Sequence, residues 1–200
     1  LVGGASPADA QQSRAPSAAA PAPDPVAQAY EQFLLAHRLD EDDDAEGAIA
    51  AYRRAMALDP KSAEIVAELA DLYMRQTRAS DAITAADQAL KISPDNRGAH
   101  RVLGMVYGSM GTSDTTKAAR EAQRENLAKG IQHLERAVGP AGTRPPADVN
   151  IRALLARLYV ANAQYNEAIP RLSEIVKEEP GWQDGAILLV QAYAAAGRTD

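Results

Sequence analysis

Residues of the same type return along this chain every 34 positions. Tyr73 and Tyr107 are 34 apart, as are Tyr159 and Tyr193, Ala48 and Ala82, Ala55 and Ala89, and Pro60 and Pro94. A repeat of that length holds two short helices and their turns, and one such unit cannot bury its own apolar face. Units must stack, each covering the next, which commits the chain to an elongated array. Such arrays work as surfaces for other molecules rather than as pockets for chemistry.

Composition supports helices. Alanine dominates the 46% hydrophobic fraction, and the aromatic residues are seven Tyr, Trp182 and Phe33. Alanine has the best intrinsic helix propensity and lets helices approach closely. Runs rich in valine, isoleucine and threonine, which would mark strands, are missing. The 21 Lys and Arg face 27 Asp and Glu, a net charge of −6. That balance argues against nucleic acid as the main partner, because phosphate binding needs clustered basic side chains. No stretch approaches the roughly 18–20 apolar residues of a membrane-spanning helix. With no cysteine, disulfides, thiolate metal sites and a cysteine nucleophile are excluded.

The segment from Ala63 to Asn96 serves as the reference unit. Leu69, Ala70 and Tyr73 share one face of a first helix, for which Ser62 is a suitable N-cap. After a break at Thr77–Ser80, a second helix carries Ala82, Ile83, Ala86 and Ala89. Ser93-Pro94-Asp95 stops it, because proline cannot continue a helix and restricts the residue before it. The small residues fall where two helices must touch, and the tyrosine packs across that contact. The pattern precedes this unit as Leu35, Ala36, Leu39, then Ala48, Ile49, Tyr52, Ala55 and Pro60. It returns as Leu155, Ala156, Tyr159, then Ala168, Ile169, Leu172, Ile175 and Pro180. A partial copy, Leu189, Val190, Tyr193 and Gly197, closes the chain.

With these residues the chain resembles the tetratricopeptide repeat (TPR) family over residues 29–200. The resemblance implies an all-α, right-handed solenoid of helix-turn-helix repeats at about 29–62, 63–96, 97–148, 149–182 and 183–200, the last partial, within a domain spanning 26–200. It further implies that the first helices line a concave groove and the second helices form the convex back. Carried onto this sequence, the groove-facing residues are Phe33, His37, Ala67, Asp71, Arg75, Arg101, Met105 and Arg157. Phe33, the chain's only phenylalanine, is either an exposed anchor for a partner or packed against a neighbouring segment. Arg101 and Arg157 could hold a carboxylate of a bound peptide. Family members that hold chaperone C-terminal tails use a lysine, two asparagines, a lysine and an arginine on these helices. The matching places here read Phe33, His37, Glu68, Gly98 and Val102, which argues against that role.

One unit is irregular. Leu103, Gly104 and Tyr107 open it and Gly130, Ile131, Leu134 and Ala137 close it, with 14 extra residues between and four more after Ala137. The Tyr107-to-Tyr159 distance of 52 accounts for both insertions. Residues 115–129 are rich in Lys, Arg, Glu and Ala, so a long second helix from about Asp114 to Val138 is predicted.

The chain opens with Leu1, and Ala8-x-Ala10 fits the small-x-small pattern before a secretory cleavage, with Gln11 as the first mature residue. Residues 1–10 are read as a signal remnant, which places the protein in a bacterial periplasm or envelope, the alternative being cytoplasmic. Residues 11–25 are Ala, Pro, Ser and Gln, with Pro16, Pro21, Pro23 and Pro25, and are read as a disordered tether. The last unit lacks a second helix, so the natural product is expected to continue past Asp200.

No catalytic constellation is visible. Asp40, Asp42 and Asp44 resemble the start of a calcium loop, but its glycine falls on Ala45 and its bidentate glutamate on Ala51. The run reads instead as a turn whose Asp44 caps the next helix. His37, His100 and His133 are far apart along the chain, and no phosphate loop or nucleophile elbow occurs. The expectation is therefore a non-catalytic scaffold for a protein or peptide partner, with no cofactor and no metal, and with self-association possible. A recognition arm of a larger enzyme is the alternative.

Overall fold

The computed structural model describes residues 24–113, 120–139 and 148–197, so the signal remnant and most of the tether lie outside the described residues. Among those described there are nine helices and no strand: α1 Pro25–Glu41, α2 Ala45–Leu58, α3 Ala63–Arg75, α4 Ala79–Ile92, α5 Arg97–Thr112, α6 Arg120–Val138, α7 Val149–Ala161, α8 Tyr165–Glu178 and α9 Gln183–Ala195. Successive helices pair as antiparallel hairpins, and α9 stands as a first helix.

Local chemistry fixes the boundaries. Asp24, Asp44, Ser62, Asn96 and Asp148 each accept a backbone N–H of the helix they precede, satisfying donors that would otherwise be orphaned. All the first helices except α5 end in a left-handed residue. Asp43, Thr77 and Ala163 have φ of 61°, 57° and 57°, and Gly197 has 70°. Positions 43 and 77 differ by one stride, as do 163 and 197, so the repeat is written in the backbone as well as in the side chains. At these turns the next amide reaches back across the helix end, Arg78 N–H to Tyr73 O and Gln164 N–H to Tyr159 O.

The predicted contact residues are where the hairpins close. Ala48, Ala55, Ala82, Ala89 and Ala168 are fully buried, and Tyr73 and Tyr159 are nearly so. Three of the repeat tyrosines carry a cation over the ring: Arg78 on Tyr73, Lys129 on Tyr107 and Arg171 on Tyr159. Two hydroxyls reach the preceding second helix, Tyr73 accepting from Arg53 at 2.9 Å and Tyr159 donating to Glu135. Burial and the Glu135 hydrogen bond push the Tyr159 hydroxyl up to about 12. Tyr73 and Tyr159 thus occupy similar environments, whereas Tyr107 is half-buried beside His133 and Tyr193 is exposed.

The irregular repeat has the extended second helix expected, α6 running 19 residues against 14 for α2, α4 and α8. Residues 114–119, where that helix was expected to begin, lie outside the described residues. The first helix is longer as well, α5 reaching 16 residues against 13 for α3 and α7. Gly111, one stride after Thr77, sits where a turn is due yet stays helical. Its position would set a Cβ 2.6 Å from the Leu127 backbone nitrogen, and a Cβ on Gly130 would lie 2.7 Å from the Gly108 nitrogen. Two long arms therefore meet backbone to backbone, and the insertion is shared between them.

Consecutive first helices also touch. α3 packs on α5, α5 on α7 and α7 on α9, whereas the second helices make no comparable contact with one another. A stack whose first helices are the closer set curves with those helices inside. This defines the concave face.

Candidate functional site: the face lined by first helices

At the N-terminal end of the concave face, Tyr30, Phe33 and His37 follow one another along α1. Phe33 stacks at 6.4 Å on Tyr30 and meets His37 edge-on at 4.5 Å and Tyr52 of α2 at 5.9 Å. Phe33 is half-buried, its ring drawn toward Tyr52 of the next helix while one side stays open, and Tyr30 above it is 61% exposed. Beneath them burial, with Glu68 and Asp40 adding, pushes the Tyr52 hydroxyl up.

Charges run across the next helices as a continuous ladder. Arg75 of α3 grips Asp40 of α1 with two hydrogen bonds, 3.0 and 2.7 Å, and binds Asp71 through Nε at 3.1 Å. Arg101 of α5 approaches the other Asp71 oxygen at 3.0 Å. That contact lies off hydrogen-bond alignment, so the buried Oδ1 is held by charge without an aligned donor. Hydrogen bonding to Asp40, more than any other influence, raises the Arg75 guanidinium pKa. The structure thus brings together Asp71, Arg75 and Arg101 and adds Asp40, which the sequence had assigned to a turn. Asp44 of the same run caps α2 through Gly47 N–H at 3.0 Å.

Two hollows lie at equivalent register on this face. In the first, of about 420 Å³, Glu64, Ala67 and Glu68 of α3 face Arg97 and Gly98 of α5. In the second, of about 360 Å³, Asn150, Ala153 and Arg157 of α7 face Trp182 at the start of α9. Residues 64, 67 and 71 correspond to 150, 153 and 157, the same 86 residues apart as Tyr73 and Tyr159. Small Ala67 and Ala153 leave the space in each. Arg157 lies over the Trp182 ring at 5.5 Å, with Asp184 3.8 Å away. Met105 is half-buried between the hollows on α5. The first hollow is rich in carboxylates, and the second offers a guanidinium and an indole.

The sequence reading missed one constellation. His100 of α5 and His133 of α6 meet with their Nδ1 atoms 2.9 Å apart, and His100 Nε2 lies 2.9 Å from the Pro94 carbonyl. A carbonyl only accepts, so His100 Nε2 bears a proton, and one of the two facing Nδ1 atoms donates to the other. Burial, then the neighbouring His100, lowers the His133 pKa. Among the described residues no group of three or more His, Cys, Asp or Glu side chains is placed to hold a metal.

Residues 41–107 match the tetratricopeptide repeat family model. Over that span the chain carries tetratricopeptide repeats. Three solved structures share the TPR solenoid. YrrB, described as a TPR protein with an unusual peptide-binding site, superposes with a TM-score of 0.66 at 19% identity, over 86% of this chain and 79% of its own. MamA from Desulfovibrio magneticus RS-1 gives 0.64 at 17% identity, covering 86% of each chain. The first TPR domain of Spaghetti (RPAP3), bound to an HSP90 peptide, gives 0.55 at 15% identity, over 69% of this chain and 98% of its own. No curated protein matches the chain in sequence. No helix among the described residues is long and apolar enough to cross a membrane.

Proposed function

We propose that this TPR solenoid is a protein-interaction scaffold that holds an extended peptide or a helix along its concave face. The observation that carries the reading is the pair of equivalent hollows, one acidic and one bearing Arg157 and Trp182, between consecutive first helices. Both open between first helices, two repeats apart, and the Tyr30–Phe33 shelf offers an apolar stop at the N-terminal end. YrrB, described with a peptide-binding site, and the Spaghetti domain, described with a bound peptide, lend the reading general support. Export to the envelope is proposed alongside it, on the Ala8-x-Ala10 pattern.

The test is selection from a random displayed-peptide library, followed by affinity measurement on purified variants. Enriched peptides should bind wild type, lose about tenfold or more in affinity with Arg157→Glu or Glu68→Lys, as expected for a charge-assisted contact, and be indifferent to Lys91→Glu on the exposed side of α4. Enrichment that ignores Arg157 and Glu68, or no enrichment, sinks the proposal.

A further inference from the structure

A third hollow, of about 460 Å³, shares Asp95 and Arg97 with the first and lies where the α4–α5 turn and the start of α5 meet the end of α6 and α8. Asp95, Arg97, His100, Glu135, Arg136 and Arg171 line it. Three guanidinium groups thus converge in a chain whose net charge is −6. The carboxylates nearby offset them only in part: Glu135 accepts from the neutral Tyr159 hydroxyl, Asp95, with its side chain 95% exposed, comes no nearer than 3.8 Å to Arg136, and Glu64 and Glu68 face Arg97 across the first hollow. Among the described residues Arg97 and Arg171 make no ion pair with any carboxylate, Arg171 resting instead over the Tyr159 ring at 5.6 Å.

Helix electrostatics do not account for Arg97. It is the first residue of α5, where the helix dipole presents its positive end and a cation is unfavourable. Guanidinium and dipole together raise the potential at one wall of the cavity. The other wall is stiff: His100 is 4% exposed and both of its ring nitrogens are engaged. Planar guanidinium forks match the paired oxygens of carboxylates and phosphates, and binding there would place the anion between the irregular repeat and the one that follows.

We propose that this cavity is a binding site for a multiply charged oxyanion, held chiefly by Arg97 and Arg171 with Arg136 at the rim. Phosphate and polycarboxylates are the two sources of that chemistry. The experiment titrates the full chain with inorganic phosphate and, separately, with citrate, at constant ionic strength and with chloride as the reference. Calorimetry gives the affinity, and the imidazole resonances of His100 and His133 report the place. Saturable binding that shifts those resonances is expected for at least one anion, and the anion that saturates identifies the source. Arg97→Gln and Arg171→Gln should each weaken it about tenfold, the scale of one lost charge-assisted hydrogen bond. Arg124→Gln, exposed at the far end of α6, should leave it unchanged. Neither anion saturating above the chloride reference overturns the site, as does equal weakening by Arg97→Gln and Arg124→Gln. Thermal melts of the three variants show whether each remains folded.

Discussion

Replacing Gly130 by alanine puts a methyl group where two backbones already touch. The new Cβ would lie 2.7 Å from the Gly108 nitrogen, 3.0 Å from its Cα and 3.3 Å from the Gly104 carbonyl oxygen, none of which can rotate away. Alanine is worth about 1 kcal/mol more than glycine inside a helix. Overpacking typically costs about 1–3 kcal/mol, and a clash with main chain belongs at the upper end. The balance is a loss of about 2 kcal/mol, which for a chain of this size lowers Tm by roughly 4–8 °C. Gly108→Ala is the matched control. Its Cβ would meet the Leu158 Cδ1 methyl at 2.8 Å, and a side-chain end can turn aside. The same propensity gain then offsets a smaller clash, leaving a change of about 0–1 kcal/mol. Urea melts followed by helical circular dichroism compare the three proteins. Gly130→Ala as stable as wild type, or Gly108→Ala the more damaging, would refute the claim that α5 and α6 meet through their backbones.

Thr77 is β-branched and left-handed at φ 57°, so Thr77→Gly should stabilise by about 0.5–1 kcal/mol; a lower urea midpoint counts against it. Pro170 lies inside α8, where it removes an intrahelical hydrogen bond, and Pro170→Ala should raise the thermal midpoint by the equivalent of about 1–3 kcal/mol. Burial keeps His133 below the ordinary histidine range, so between its folded value and the unfolded value of about 6.5 the unfolded chain binds more protons. Stability should therefore fall as pH drops from about 7.5 to about 5.5, and His133→Gln should shrink that fall; an unchanged difference in urea midpoints would remove His133 from the account. Asp71→Asn weakens the partner of both Arg75 and Arg101, and should cost about 1 kcal/mol in low salt and less in high salt, read from melts at two ionic strengths.

The fold was legible because the stride encodes it at three levels. Alanines at Ala48, Ala82 and Ala168 mark helix contacts, Ser62 and Asp44 mark helix starts, and Pro60 and Pro94 follow helix ends. The irregular unit was legible only in part. Propensity favours helix within the insert, but it does not reveal that α5 takes a share, because Gly111 reads as a turn until its contact with Leu127 is seen. The His100–His133 contact was hidden for the same reason: how two arms of a hairpin align depends on how the insert is divided. The charge ladder left a faint trace. Asp40 and Arg75 are 35 apart, one more than the stride, which puts them on adjacent first helices; their rotamers, which decide the pairing, are not written in the spacing. Phe33 illustrates the remaining gap, since its register places it on the concave face while Tyr52 draws its ring half inward.

The ladder has a kinetic consequence. Because Asp40, Arg75, Asp71 and Arg101 already cancel one another along the inner curve, an approaching ligand feels little attraction from them at long range. A charged group docking there would have to exchange partners with the resident ions after arrival. Association should accordingly be slow for a charged ligand and only weakly dependent on salt, with selectivity expressed in how long the complex lasts.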